Sequence, residues 1–161
     1  MPLSPAERAG LVERYAAGYA AFAAAVAEAD DAHALDRADE GGWTARQVVH
    51  HLADSELTSA IRLRRLLAED EPVIAAYDEE RFARVLRYDR PIDTSLRAAQ
   101  AAREASAELL GLLTDDEWAR AGTHTDDGPY GVERWLRKYA DHPYDHAEQV
   151  RRAAGISLSQ R

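Results

Sequence analysis

The sequence has no cysteine among its 161 residues. The fold therefore contains no disulfide, thiolate metal sites are excluded, and no protein thiol can act as a nucleophile. Any sulfur chemistry must use an outside thiol. Positive charge is also scarce: 20 Lys and Arg stand against 29 Asp and Glu, for a formal charge of -9, and the basic residues are scattered among acids. A nucleic-acid partner, whose phosphates need concentrated positive charge, is not expected. Long apolar runs are missing too. Residues Ala16 to Ala29 are mostly alanine, carry Glu28 and fall short of the ~20 residues that span a bilayer. The opening "MPLSPAERAGLVERY" mixes acids with bases and holds no apolar signal core. No membrane association is expected, and a cytoplasmic location is the default.

What is present is globular composition, 46% hydrophobic and 30% charged, without a linker-like stretch or internal repeat. One domain over residues 1–161 is expected, large enough to bury roughly 70% of its unfolded surface.

Helix signals punctuate the chain. Ser4, Pro5 and Glu7 supply an N-cap, a first-turn proline and an acid that can bond back to the cap; Leu11, Tyr15, Phe22 and Val26 then share one stripe. Gly41 and Gly42 break the chain before Thr44 and Gln47, a second capping box that opens a long helix to about Ala68. Pro72 follows its end. Asp78 caps a short helix in "YDEERFARVL". From Asp93 or Thr94 to Leu113 the residues are good helix formers, with Leu96, Ala99, Arg103, Ser106, Leu110 and Leu113 on an imperfect stripe. Thr114 and Glu117 cap a short turn, "GTHTDDGPYG" reads as a loop or small hairpin, and a last helix runs from about Val132 to Ala154. Four long helices without a clear alternating strand predict an all-α four-helix bundle.

On the last helix, Val132, Trp135, Tyr139, His142, His146 and Val150 are spaced by 3, 4, 3, 4 and 4 residues, which turns both histidines inward. Imidazoles one turn apart can share a metal ion. "VVHHLADSE" offers a third: at about 100° per residue His51 falls within about 60° of Val48, whereas His50 points away. Three histidines with an open position suit a catalytic metal. On residue types alone, core histidines bonded to nearby carboxylates explain the pattern equally. Pro143 removes a helical donor and presses on the carbonyl of Tyr139. His33 and His124 are expected at the surface, and Trp43, Trp118 and Trp135 in core or rim packing.

The stretches "DEGGWTARQVVHHLADSE", "EPVIAAYDEERFA" and "THTDDGPYGVERWLRKYADH", with the terminal His-x3-His, occur in this order from about Asp39 onward. Together they resemble the DinB superfamily, specifically its YfiT-like metal-dependent hydrolases. The resemblance implies a DinB-like four-helix bundle with a long crossover connection, often a homodimer. It also implies a divalent metal, zinc first and nickel second, held by His51, His142 and His146. Pro143 departs from the family pattern.

Three functions follow as expectations. In a hydrolase, three neutral imidazoles would leave Zn²⁺ able to lower the pKa of water to about 7 for attack on a small-molecule electrophile, with Asp54 and Asp145 as candidates to orient imidazoles. In an S-transferase, the site would bind a low-molecular-weight thiol of the bacillithiol or mycothiol type. In a non-catalytic bundle, a dimerising or stress-induced binding module, there is either no metal at all or one that serves stability alone.

Overall fold

The computed structural model describes residues 2–29, 31–38 and 42–156. Gly41 and the beginning of the "DEGGWTARQ" motif lie outside them. The long helices are α1 (Pro5–Glu28), α3 (Ala45–Ala68), α5 (Asp93–Leu110) and α7 (Val132–Ala154), with short helices α2 (Ala32–Leu35), α4 (Glu79–Val85) and α6 (Asp115–Trp118) between them. Their starts follow the local chemistry. Ser4 with Glu7, Thr44 with Gln47 and Thr114 with Glu117 each form a reciprocal capping box, and the Asp78 side chain caps α4. Helix α7 ends where Gly155 turns left-handed at φ 76°, a conformation that glycine adopts without a Cβ clash.

Helices α1 and α5 pack on one another, as do α3 and α5, while α7 contacts both α1 and α3. This order puts α1 and α3, consecutive among the long helices, on opposite corners of the bundle. The chain bridges α3 to α5 through a long crossover that carries strand β1 (Val73–Ile74) and α4. The expected bundle with a crossover is thus the observed fold. It also contains a small sheet. The "GTHTDDGPYG" stretch forms an antiparallel hairpin of β2 (Ala121–His124) and β3 (Gly128–Gly131), and β1 adds to β2 in parallel register, Val73 with Thr123 and Ile74 with His124. The two residues of β1 are too few to show alternation in sequence. Gly122 permits this pairing, since a Cβ there would lie 2.2 Å from the carbonyl oxygen of Pro72.

Two large apolar clusters fill the bundle among the described residues, with a small third at Ala29, Ala34 and Ala154. One gathers Tyr15, Leu63, Leu66, Leu110, Trp135, Leu136 and Tyr139; the other gathers Phe22, Ala25, Val48, Leu52, Ala147 and Val150. Between them runs a polar belt: His51, Ser55, Glu56 and Ser59 on α3, Arg103 and Ser106 on α5, and His142 and His146 on α7. The imperfect stripe of α5 is explained here, because Arg103 and Ser106 are both buried, with Arg103 2% exposed. No helix among the described residues is long and apolar enough to cross a membrane.

Candidate metal centre

Helix α3 delivers His51 into the belt, one position before the core residue Leu52, and α7 delivers His142 and His146 one turn apart. One ring nitrogen from each of the three lies within 4.8 Å of the others. The Nε2 atoms of His142 and His146 are 3.1 Å apart, close to the roughly 3.3 Å that separates two ligands on a tetrahedral ion with bonds of about 2.0–2.1 Å. The His51 ring centroid lies 4.8 Å from that of His146 and 5.9 Å from that of His142. His51 is buried, whereas His142 and His146 stay partly exposed, so the cluster can be reached from solvent.

The electrostatics favour neutral rings. Burial pushes the His51 pKa down to about 3, and the nearby His146 adds to this. Burial lowers the His142 pKa well below the usual value and lowers that of His146. Neutral imidazoles retain the lone pairs a cation needs. Nδ1 of His51 and Nδ1 of His142 are buried without hydrogen-bond partners among the described residues, which is costly in a closed apolar core. The donor set therefore fits a divalent cation of the borderline class, which imidazole suits.

The orienting groups differ from those expected. Nδ1 of His146 donates to Oε1 of Gln149 at 2.8 Å, which leaves its Nε2 as the free acceptor. Gln149 was legible only as a polar residue three positions from His146 on the same helix. Asp54 does not orient His51: its Oδ2 accepts from the Tyr88 hydroxyl at 2.5 Å. Asp145 lies exposed beside His146 and raises its pKa without a direct hydrogen bond. Trp43 packs edge-on against His51 with ring centroids 5.2 Å apart and donates through Nε1 to Glu80.

The other histidines separate cleanly. His33 is exposed, as expected. His50 is as buried as His51 but serves another interface: its Nε2 donates to the carbonyl of Arg90, and its Nδ1 accepts from Ser95 on α5. His124 corrects the sequence reading, since it is only 5% exposed. Pairing of β1 with β2 covers it, and its Nδ1 accepts the backbone N–H groups of Asp126 and Asp127 at 3.3 Å each.

Pro143 is accommodated inside α7. The Tyr139 carbonyl that a residue-143 N–H would have filled accepts instead from Nη2 of Arg103 at 2.8 Å.

Comparison with known proteins agrees with this arrangement. The DinB superfamily model matches residues 14–150. A protein of Oceanobacillus iheyensis named "Putative metal-dependent hydrolase" is 36% identical over 110 residues, covering 68% of this chain and 64% of the relative. The match thus spans somewhat under two thirds of that relative's length. One of Halalkalibacterium halodurans with the same description is 32% identical over 114 residues, covering 71% and 67%. The solved structure of YfiT from Bacillus subtilis, described as a probable metal-dependent hydrolase with an unusual four-helix bundle topology, superposes with a TM-score of 0.86 at 31% identity, covering 96% of this chain and 91% of that one. With helix order, crossover and histidine geometry already in place, a match over most of the chain means that this protein belongs to the DinB superfamily.

Proposed function

We propose that the protein is a metal-dependent hydrolase in which His51, His142 and His146 hold one divalent ion, zinc or nickel. The observation that carries this reading is the convergence of three neutral ring nitrogens from two helices within 4.8 Å, beside buried His51 and His142 nitrogens that meet no partner among the described residues. The names of the relatives point the same way. Such an ion supplies Lewis acidity and a water made acidic enough to act as a nucleophile near neutral pH.

The chain's own residues set the conditions. Gln149 fixes the tautomer and ring direction of His146. Trp43 walls one side of His51 and limits its rotation. Tyr139, whose ring lies 5.6 Å from that of His142, closes the inner side, and the partial exposure of His142 and His146 leaves the approach for a small-molecule substrate. Glu56, the buried carboxylate of the belt, is engaged by Arg103 and acts in the scaffold.

The test is metal content per chain by plasma mass spectrometry, on wild type and His51→Ala purified without a chelating column. About one ion per wild-type chain and little in the variant is expected. A wild-type chain that stays metal-free after incubation with zinc and nickel would sink the proposal. With the metal in place, ester and amide panels are screened with and without added thiol. Turnover that requires thiol would move the assignment to S-transfer, and metal binding that raises Tm without turnover would move it to a structural role.

A further inference from the structure

Among the described residues two guanidinium groups are buried, and one of them has an anionic partner there. Arg103 is paired with Glu56 at 2.5 Å. Arg62, on α3 and 6% exposed, donates from Nη1 to the Tyr139 hydroxyl at 3.1 Å and from Nη2 to the Ala75 carbonyl at 2.6 Å. Among the described residues its buried Nε meets no acceptor and no carboxylate pairs with it. An uncompensated charge held out of water is strongly unfavourable.

Arg62 lines a polar cleft of about 180 Å³ between α3, the hairpin and α7, together with Tyr77, His124 and Lys138. Since His124 Nδ1 accepts two backbone N–H groups, its proton lies on Nε2, a donor that meets no protein acceptor among the described residues. Lys138 also has no ion-pair partner among them. The cleft thus has Arg62 and His124 as buried donors at its floor and the exposed Lys138 at its rim. Its acids, Glu79, Asp126 and Asp127, are exposed, as is Lys138; water screens these four, whereas the buried Arg62 guanidinium is screened less.

We propose that this cleft binds the carboxylate of a small acid, with the Arg62 guanidinium as its counter-charge and Lys138 and His124 as further donors. A planar fork of N–H groups matches a carboxylate, and a cavity of this volume holds the equivalent of roughly six waters, room for a carboxylate and a few carbons. Tyr139 links the cleft to the histidines, with its ring against His142 and its hydroxyl on Arg62. The buried Tyr139 side chain separates this anion site from the histidines. As an anion site the cleft does not rest on the proposed metal chemistry.

The experiment is calorimetric titration of glutarate, and of its uncharged diamide glutaramide, into the full chain: zinc-loaded wild type, Arg62→Met, Arg62→Lys and Lys138→Met, and His51→Ala as purified. Wild type is expected to bind glutarate but not glutaramide, with affinity reduced about tenfold or more in Arg62→Met, less in Lys138→Met, and kept in His51→Ala. Equal binding of the diamide, unchanged affinity in Arg62→Met, or no saturable binding to wild type would each overturn the proposal. If Arg62→Met does not fold, unchanged affinity in both Arg62→Lys and Lys138→Met overturns it. Affinity lost in His51→Ala but kept in Arg62→Met would place the carboxylate at the histidines, ending this proposal while the hydrolase reading stands. Arg62-dependent binding by a chain that takes up no metal would do the reverse.

Discussion

Arg103 takes the place of the hydrogen that Pro143 lacks: its Nη2 donates to the Tyr139 carbonyl at 2.8 Å, across the bundle from α5 to α7. The same guanidinium donates from Nε to the Tyr15 carbonyl on α1 at 2.6 Å and from Nη1 to Glu56 on α3, and its Cζ lies 3.8 Å from the centroid of the Tyr15 ring. One side chain therefore ties all four long helices at the level of the histidines. A proline inside a helix costs about 3 kcal/mol or more, in part through the orphaned carbonyl, and here that carbonyl is satisfied.

Removal of this tie should be severe. Arg103→Leu leaves Glu56 buried without its partner and is expected to lower stability by about 3–5 kcal/mol. Arg103→Leu with Glu56→Leu should regain much of the loss, because neither member of this buried pair is left as an unpaired charge. Urea unfolding of both variants measures the difference; a double variant no more stable than the single one would show that the cross-helix hydrogen bonds, rather than the charge, dominate.

Gly18 is the second part of the same device. A Cβ at this position would come within 2.8 Å of Arg103 Nη2 and 3.0 Å of Pro143 Cγ. Glycine to alanine in a helix interior ordinarily stabilises by roughly 0.5–1 kcal/mol, yet Gly18→Ala is expected to destabilise, since Arg103 is anchored on three sides and cannot withdraw freely. A rise in Tm for this variant would contradict the packing described here.

Metal affinity should depend on Gln149 and not on Asp54. Gln149→Leu removes the acceptor of His146 Nδ1–H and is expected to weaken metal binding about 10–100-fold. Asp54→Asn changes a group bonded to Tyr88 and should leave the affinity within about twofold of wild type, by the same reasoning. Competition with a chromophoric chelator reads both.

Acid should weaken the metal-free fold. The folded pKa of His51 lies near 3, below the ordinary 6.5, and those of His142 and His146 are lowered in the same direction. Between these limits the unfolded chain binds more protons than the folded one, so stability falls as pH drops below about 6.5. Thermal melts of chelator-treated protein from pH 7.5 to 5 should show this decline, with a shallower slope in His51→Ala. Identical slopes would remove His51 from the account.

Much of the architecture was legible because its causes are local. Capping boxes, breakers and the 3.6-residue period act within a turn or two, and they mark α1, α3, α4, α6 and α7 nearly to the residue. The end of α5 at Leu110 rather than Leu113 falls where a glycine, Gly111, closes the helix. The three histidines were readable for the same reason: helical phase turns His51, His142 and His146 toward the axis, and the family resemblance selects the same residues.

What the sequence by itself determined, then, is the set of helices, their inward faces and the histidines those faces carry. Tertiary structure decided everything that depends on a partner distant along the chain. It buried His124 by laying a two-residue strand beside it, engaged Asp54 through Tyr88 from 34 positions away, and gave Arg103 to Glu56 while leaving Arg62 without a carboxylate. The physical reason is range. A hydrogen bond within a turn is specified by spacing, whereas pairing across the bundle follows from which helices the crossover brings side by side, and no local pattern records that choice.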